Sequence, residues 1–275
     1  MNELLRMSDR LLIPEDDLII INRITKPESK AYAPQGRLFE ILGVRNNHRV
    51  VREIACNTVV VGGAVKALEN LLGVSANWSP EIVRGGTVEA DSKLCLFGVG
   101  NGGAESQFGI VKAPKTWQYE LFNPIPLRRA STSTPPAPDS NKYFGRVQEA
   151  SKYNWYYKTF NSTPVIKTCL KNSSNPDADG TEITSRISDE QGATGIETFA
   201  EIEIELNTSD IREYYEESGG TQSARYNEIG FYLGSKPSGA TDYSNLRLYS
   251  LITFNNYDVS TPVSRRLVYR IYSML

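Results

Sequence analysis

Apolar and polar residues alternate with a period of two over much of the C-terminal half of the chain, the signature of half-buried β-strands. In FAEIEIELN, residues 199 to 207, Phe199, Ile202, Ile204 and Leu206 stand against Glu201, Glu203 and Glu205 with a one-residue slip at Ala200, which predicts a strand with an acidic, solvated face. In NEIGFYLG, Ile229, Phe231 and Leu233 alternate with Glu228, Gly230 and Tyr232. In NLRLYSLITF, Leu246, Leu248, Ser250 and Ile252 share one face and Arg247, Tyr249 and Leu251 the other. In RRLVYRIY, Leu267, Tyr269 and Ile271 oppose Val268, Arg270 and Tyr272. The segments KPSGATDYS and NNYDVSTPVS between them hold enough Gly, Pro and Asn for reversals. These three strands are therefore expected as a meander at the chain's end, with Ile229, Phe231, Leu233, Leu246, Leu248, Leu267, Tyr269 and Ile271 as its core and Arg270 outside it.

Strand character is also read in TVEADSKLCLFGVG, YNWYYKTF and PVIKTCL. Helical periodicity is confined to a few places. NTVVVGGAVKALENLLG has Asn57 as N-cap, Val61, Val65, Leu68 and Leu72 on one face and Gly73 as a stop, while Gly62-Gly63 permits close approach of another backbone. DIREYYEESGG reads as a short helix capped by Asp210 and ended by Gly219-Gly220. With few helices and no βαβ alternation, the expected fold is mainly β (α+β). It is an antiparallel β-sandwich, jelly-roll-like, with one or two short helices.

Residues 1–55 read differently. A stretch of helix potential (Leu4, Leu5, Met7, Leu11, Leu12) is followed by DLIIINRITKP and by two short apolar runs broken by Gly and Asn-Asn. This is expected as an extended N-terminal arm, with residues 56–275 as the structural domain. Leu18, Ile19, Ile20 and Ile21 have little compact sequence around them to bury them, so they are candidates for an interface with a neighbouring subunit. A linker-like excursion is expected at 130–140, where ASTSTPPAPDS has little to bury.

Composition narrows the partners. Thirty Lys+Arg against 32 Asp+Glu give a formal net charge of −2, so no global field draws the chain to nucleic acid or to an anionic membrane. No direct sequence-specific nucleic-acid contact and no membrane partner are expected. Three cysteines, far apart and odd in number, suggest neither a disulfide framework nor a zinc knuckle. The first residues lack the basic start and unbroken apolar core of a secretory peptide, so assembly in cytoplasm is expected. Fifteen Tyr, 21 Gly and 14 Pro favour short strands and turns.

Candidate chemistry is sparse. Gly98, Gly100 and Gly103 satisfy G-x-G-x-x-G, but the following AESQFGIVKAPKTW does not open a helix and no carboxylate stands about 20 residues on. Gly98, Gly100, Gly102 and Gly103 are expected instead to shape a structural loop with φ > 0 and close packing. NPDADG, residues 175 to 180, imitates the front of a calcium loop, but its position 12 is Arg186, so a polar turn is the expectation. His48 is the only histidine and no G-x-S-x-G accompanies it, so nothing selects a hydrolase. No cofactor, metal or catalytic residue is assigned. The many tyrosines with Trp155 suit either a core and subunit interface or a sugar-binding surface.

Several blocks together are more specific. NTVVVGGAVKALENLLG, LCLFGVGNGGAESQFGIVKAPKTWQYELFNPIPLRR, YFGR, ARYNEIGFYLGSKPSG, NLRLYSLITFNN and SRRLVYRIY, in that order across residues 57 to 275, resemble structural proteins of tailed-bacteriophage virions. The resemblance implies a non-enzymatic subunit present in many copies around the neck, as a collar or head-to-tail connector. Baseplate or tail-fibre attachment is the alternative, and a carbohydrate-binding module the alternative from another class. It implies residence in the virion and, as partners, other copies of the chain and neighbouring portal, connector, tail or fibre proteins.

Overall fold

The computed structural model describes residues 35–45, 48–56, 58–59, 63, 92–105, 110–131, 142–170, 181–182, 196–207, 209–217, 224–258 and 264–272. Two antiparallel sheets form a sandwich, as the alternation predicts. The first has the order β10-β9-β11-β14-β1-β2, with β1 Gln35–Arg45, β2 His48–Cys56, β9 Val165–Leu170, β10 Thr181–Glu182, β11 Ile196–Leu206 and β14 Arg265–Tyr272. The second has the path β3-β13-β12-β4-β8-β6, with β3 Thr58–Val59, β4 Lys93–Gly100, β6 Arg128–Ser131, β8 Lys152–Thr159, β12 Arg225–Ser235 and β13 Ser244–Asp258. In addition, β5 Pro124–Ile125 pairs with β4, and β7 Tyr143–Glu149 with β8. The helix described along its length is α1, Arg212–Glu217.

The core lies between the sheets. Leu38, Ile202, Ile204, Leu267 and Tyr269 of the first meet Phe97, Val99, Ile229, Phe231, Ile252 and Phe254 of the second. Tyr269 ties the two, its ring stacked 4.0 Å from that of Phe231 and its hydroxyl 3.0 Å from Ser250 Oγ. Unlike an ordinary sandwich sheet, the second buries its other face too, through Cys95, Leu96, Leu121, Phe144, Tyr232, Leu248 and Leu251. Strands buried on both sides need apolar residues in succession, which is why KLCLFGVG and NEIGFYLG carry few exposed positions.

The structure departs from the sequence expectations at several points. Residues 35–55 are not arm: β1 sits inside the first sheet between β14 and β2, with Leu38 facing Tyr269 and Ala55. Their apolar runs are short because the face between the sheets takes only every second residue, and the other neighbour of β1, β14, comes from the far end of the chain. The expected arm is thus limited to residues before Gln35, and Leu18, Ile19, Ile20 and Ile21 lie outside the described residues, as do most of 130–140 and all of 175–180. The three last strands do not form one meander. β12 and β13 pair, but β14 crosses to the other sheet, between β11 and β1. A register shift between Phe231 and Tyr232 sets Leu248 opposite Tyr232, so Leu248 and Leu246 join the second cluster while Ile252 stays in the first. Ile271 is only partly buried.

Asn57 and most of the helix expected after it lie outside the described residues, while Thr58 and Val59 are strand paired with Leu251 and Ser250. Gly63 is helical, and a Cβ there would overlap the Tyr249 backbone, so close approach does explain that glycine. Asp210 is fully engaged elsewhere: it accepts from Lys158 Nζ and Tyr143 Oη at 2.6 Å and from the Asn207 amide at 2.7 Å. α1 starts after it, beyond Ile211, whose φ of 61° is unusual for a β-branched residue.

The acidic ladder of β11 is likewise not solvated. Glu201 and Glu203 are buried, as is Arg270. Glu201 pairs with Arg270 at 3.0 Å and with Lys167 at 3.1 Å, and Glu203 takes Arg266 Nε at 2.9 Å and Asn161 Nδ2 at 3.1 Å. Phe199 shares this face, its ring against the Arg270 guanidinium. The basic positions of SRRLVYRIY thus answer the acidic ones of FAEIEIELN across the strand pair.

Candidate functional site

The glycine segment is built from the backbone outward. β4 runs antiparallel to β12 with Gly98 opposite Gly230 and Gly100 opposite Glu228. Glu228 is fully buried, and its carboxylate accepts the amides of Gly102 at 3.1 Å, Phe122 at 2.9 Å and Asn123 at 2.8 Å. Its neighbour Asn227 accepts the Gly103 amide at 2.6 Å and donates to the Asn101 carbonyl at 3.1 Å and Asn256 Oδ1 at 2.8 Å. Asn101 in turn donates to Tyr215 Oη, and its amide reaches the Asn123 carbonyl. One carboxylate and one amide side chain thereby satisfy most of the polar backbone that the turn at 101–103 would otherwise bury unpaired.

This geometry corrects the reason for the glycines. None of Gly98, Gly100, Gly102 and Gly103 adopts a positive φ; among the described glycines only Gly145 and Gly239 do. Their need is space. A Cβ on Gly100 would overlap Glu228 and sit 2.5 Å from the Asn123 carbonyl, and one on Gly103 would sit 2.5 Å from the Asn227 carbonyl. On Gly102 it would come within 2.7 Å of the Asn123 amide nitrogen. Gly98 and Gly230 leave room for Tyr232, Tyr157 and Leu121 to pack over the sheet.

Beside the glycines lies a hollow of about 200 Å³ lined by Glu120, Leu121, Pro124, Tyr156, Tyr157 and Tyr232. Tyr157 and Tyr232 meet edge to face at 4.7 Å. Burial pushes the Tyr156 phenol up to about 12, reinforced by Glu149, which its hydroxyl meets at 3.0 Å. Tyr157 and Tyr232 are raised by burial as well. Neutral phenols with one rim carboxylate offer aromatic faces and hydrogen-bond donors, a set suited to recognition. His48 belongs to the other sheet, as the first residue of β2 opposite Arg45. Among the described residues no group of three His, Cys, Asp or Glu side chains could hold a metal ion.

Next to the hollow, the segment 110–122 turns large apolar side chains outward. Ile110 is 77% exposed and Trp117 65%, with Tyr119 and Phe122 also exposed. Lys112 lies over the Phe122 ring and Lys115 over the Trp117 ring. Sequence reasoning passed over this surface and over the Asn227–Glu228 tie. The legible signals were the aromatic cluster TWQYELF between Pro114 and Pro124, and a polar Asn-Glu pair inside an apolar strand. Of the sequence-assigned core positions, Ile229, Phe231, Leu233, Leu248, Leu267 and Tyr269 are buried, and Leu246 and Ile271 partly so.

No protein-family model matches the chain, and neither a curated protein nor a solved structure matches it.

Proposed function

We propose that the chain is a structural subunit of a tailed-phage virion, present in several copies around the neck as a collar or connector protein. The observation that carries this reading is the use made of the resembling motifs. The glycines of FGVGNGG and the Asn-Glu of NEIG lock into one buried tie, next to an outward-facing apolar loop at 110–122. A rigid joint beside an exposed apolar surface is what a subunit held by its neighbours needs. A cryo-EM reconstruction of the intact particle tests it: density for this chain is expected in a ring on the tail axis at the neck. Density at the baseplate or fibre base would move the assignment along the tail, and a particle without the chain would end it.

A second reading is favoured by the hollow itself. Tyr156, Tyr157, Tyr232 and Glu120 supply rings and an acceptor of the kind that hold a sugar, with Trp117 and Tyr119 nearby in sequence. Saturable binding on a glycan array, abolished by Tyr156→Ala, would establish a carbohydrate-binding module in its place.

A further inference from the structure

Among the described residues, the first sheet ends in an edge that is largely unpaired. On the outer side of β9, β10 reaches only Cys169 and Leu170. Among the described residues no strand pairs with that side of Val165, Ile166, Lys167 and Thr168. Alternate amides and carbonyls of such a strand point outward as a template for another. Protein edges are ordinarily guarded by an inward or exposed lysine, but Lys167 is committed to Glu201 at 3.1 Å. Ile166 is 78% exposed and Val165 45%. Ile166 opens a row that continues through Ala200, Ile271 and Gly36 on the core-facing side, where Ile271 is only partly covered. An apolar strand laid along β9 would extend this row by one residue and cover Ile166.

We propose that the occupant is the run Leu18–Ile21 of a second copy of this chain, added as a strand to the β9 edge. Three observations select it. The run is the most apolar stretch before β1, and Glu15, Asp16 and Asp17 precede it, acidic where the acceptor strand carries Lys167 and is followed in sequence by Lys171. Ile21 stands 14 residues before Gln35, a tether that spans up to ~45 Å when extended. Gln35 itself lies in the row Gln35, Tyr272, Phe199, Lys167, so the tether leaves the sheet towards Leu170, the end where β9 finishes. Supplied by a neighbouring copy, the run covers the exposed Ile166 and joins two subunits at once. Strand addition supplies main-chain hydrogen bonds for affinity and alternate side-chain contacts for register. Because donor and acceptor are different surfaces, the contact is head-to-tail and closes only as a ring or continues as a filament.

The inference rests on the reading of the chain as an assembling subunit and names the contact. Its test uses full-length protein throughout. Arm variant Ile19→Asp/Ile21→Asp and edge variant Ile166→Asp are each examined by sedimentation velocity at up to about 0.1 mM, where even a weak specific contact registers. Wild type is expected as oligomers, each variant alone as monomer, and the equimolar mixture as a heterodimer that grows no further, since only one donor and one acceptor remain. Unchanged melting temperatures, expected for an exposed Ile166, confirm that both variants fold. A monomeric wild type, or oligomers unaffected by either change, overturns the proposal. Loss of association in the edge variant alone would instead mean that two β9 edges pair with each other. Oligomers that behave as described but a particle lacking the chain would leave this contact standing and remove the virion reading.

Discussion

Glu228 shows how much one side chain can decide. Its carboxylate lies out of water yet accepts three backbone amides, and the residue opposite it, Gly100, has no atoms to spare beyond its backbone. Replacing it as Glu228→Gln turns one acceptor into a donor facing amide donors, with an expected loss of about 2–4 kcal/mol in urea unfolding. Gly100→Ala is expected to lose a similar ~2–4 kcal/mol through overlap with Glu228 and the Asn123 carbonyl. A cost below about 1 kcal/mol for Gly100→Ala would match a site with room for a methyl group and refute the close-approach account. The glycines were visible in the sequence as a motif. Their purpose was not, because the atoms they make room for belong to other elements, Phe122 and Asn123 on a later loop and Asn227 and Glu228 on β12.

Among the elements, the strand pair β11–β14 changes most from its sequence reading. Alternation alone places Glu201 and Arg270 on a face away from the core, and it cannot say whether that face meets water. Here both are buried, with Arg270 between the Phe39 and Phe199 rings at 5.2 and 4.6 Å. Arg270→Glu puts a second carboxylate beside Glu201 in a buried site, and a loss of about 3–5 kcal/mol is expected. The exchange Arg270→Glu/Glu201→Arg should regain part of that loss, though Lys167, placed for a carboxylate, then opposes the new arginine. If thermal unfolding of Arg270→Glu matches wild type, the face is solvated and the ladder contributes nothing. Ile271, by contrast, sits at the margin of the core, so Ile271→Asp costs less here than a charge at Leu267 or Tyr269 would.

At the scale of the whole molecule, both faces of the second sheet are occupied and several tyrosines are enclosed. Burial holds Tyr249 up at about 12 and raises Tyr226 and Tyr232. The Cys95 thiol is pushed up to about 12 by the same cause. Each group keeps its proton in the fold at a pH where the open chain has released it. The stability this confers is complete below the ordinary values, near pH 9 for the thiol and pH 10 for the phenols, and is lost as pH rises towards 12. The urea midpoint should therefore fall steeply across that window, with tyrosinate absorbance appearing together with unfolding. Tyr249→Phe removes one such phenol and should flatten the decline. An identical slope in wild type and variant would show that Tyr249 titrates freely in the fold.

The sequence by itself determined that the chain builds strands, where most of them run, and that their inward residues are Ile229, Phe231, Leu267 and Tyr269, because the period of two is a local property of an extended backbone. Tertiary structure alone decided which strands are neighbours. β14 leaves β13 for a place between β11 and β1, since there its Leu267 and Tyr269 face the second sheet while its arginines meet Glu201 and Glu203. It also drew residues 35–55 out of the presumed arm, closed both faces of the second sheet and aimed Glu228 at the glycine turn. Pairing of that kind depends on partners far apart along the chain, and no local pattern records them.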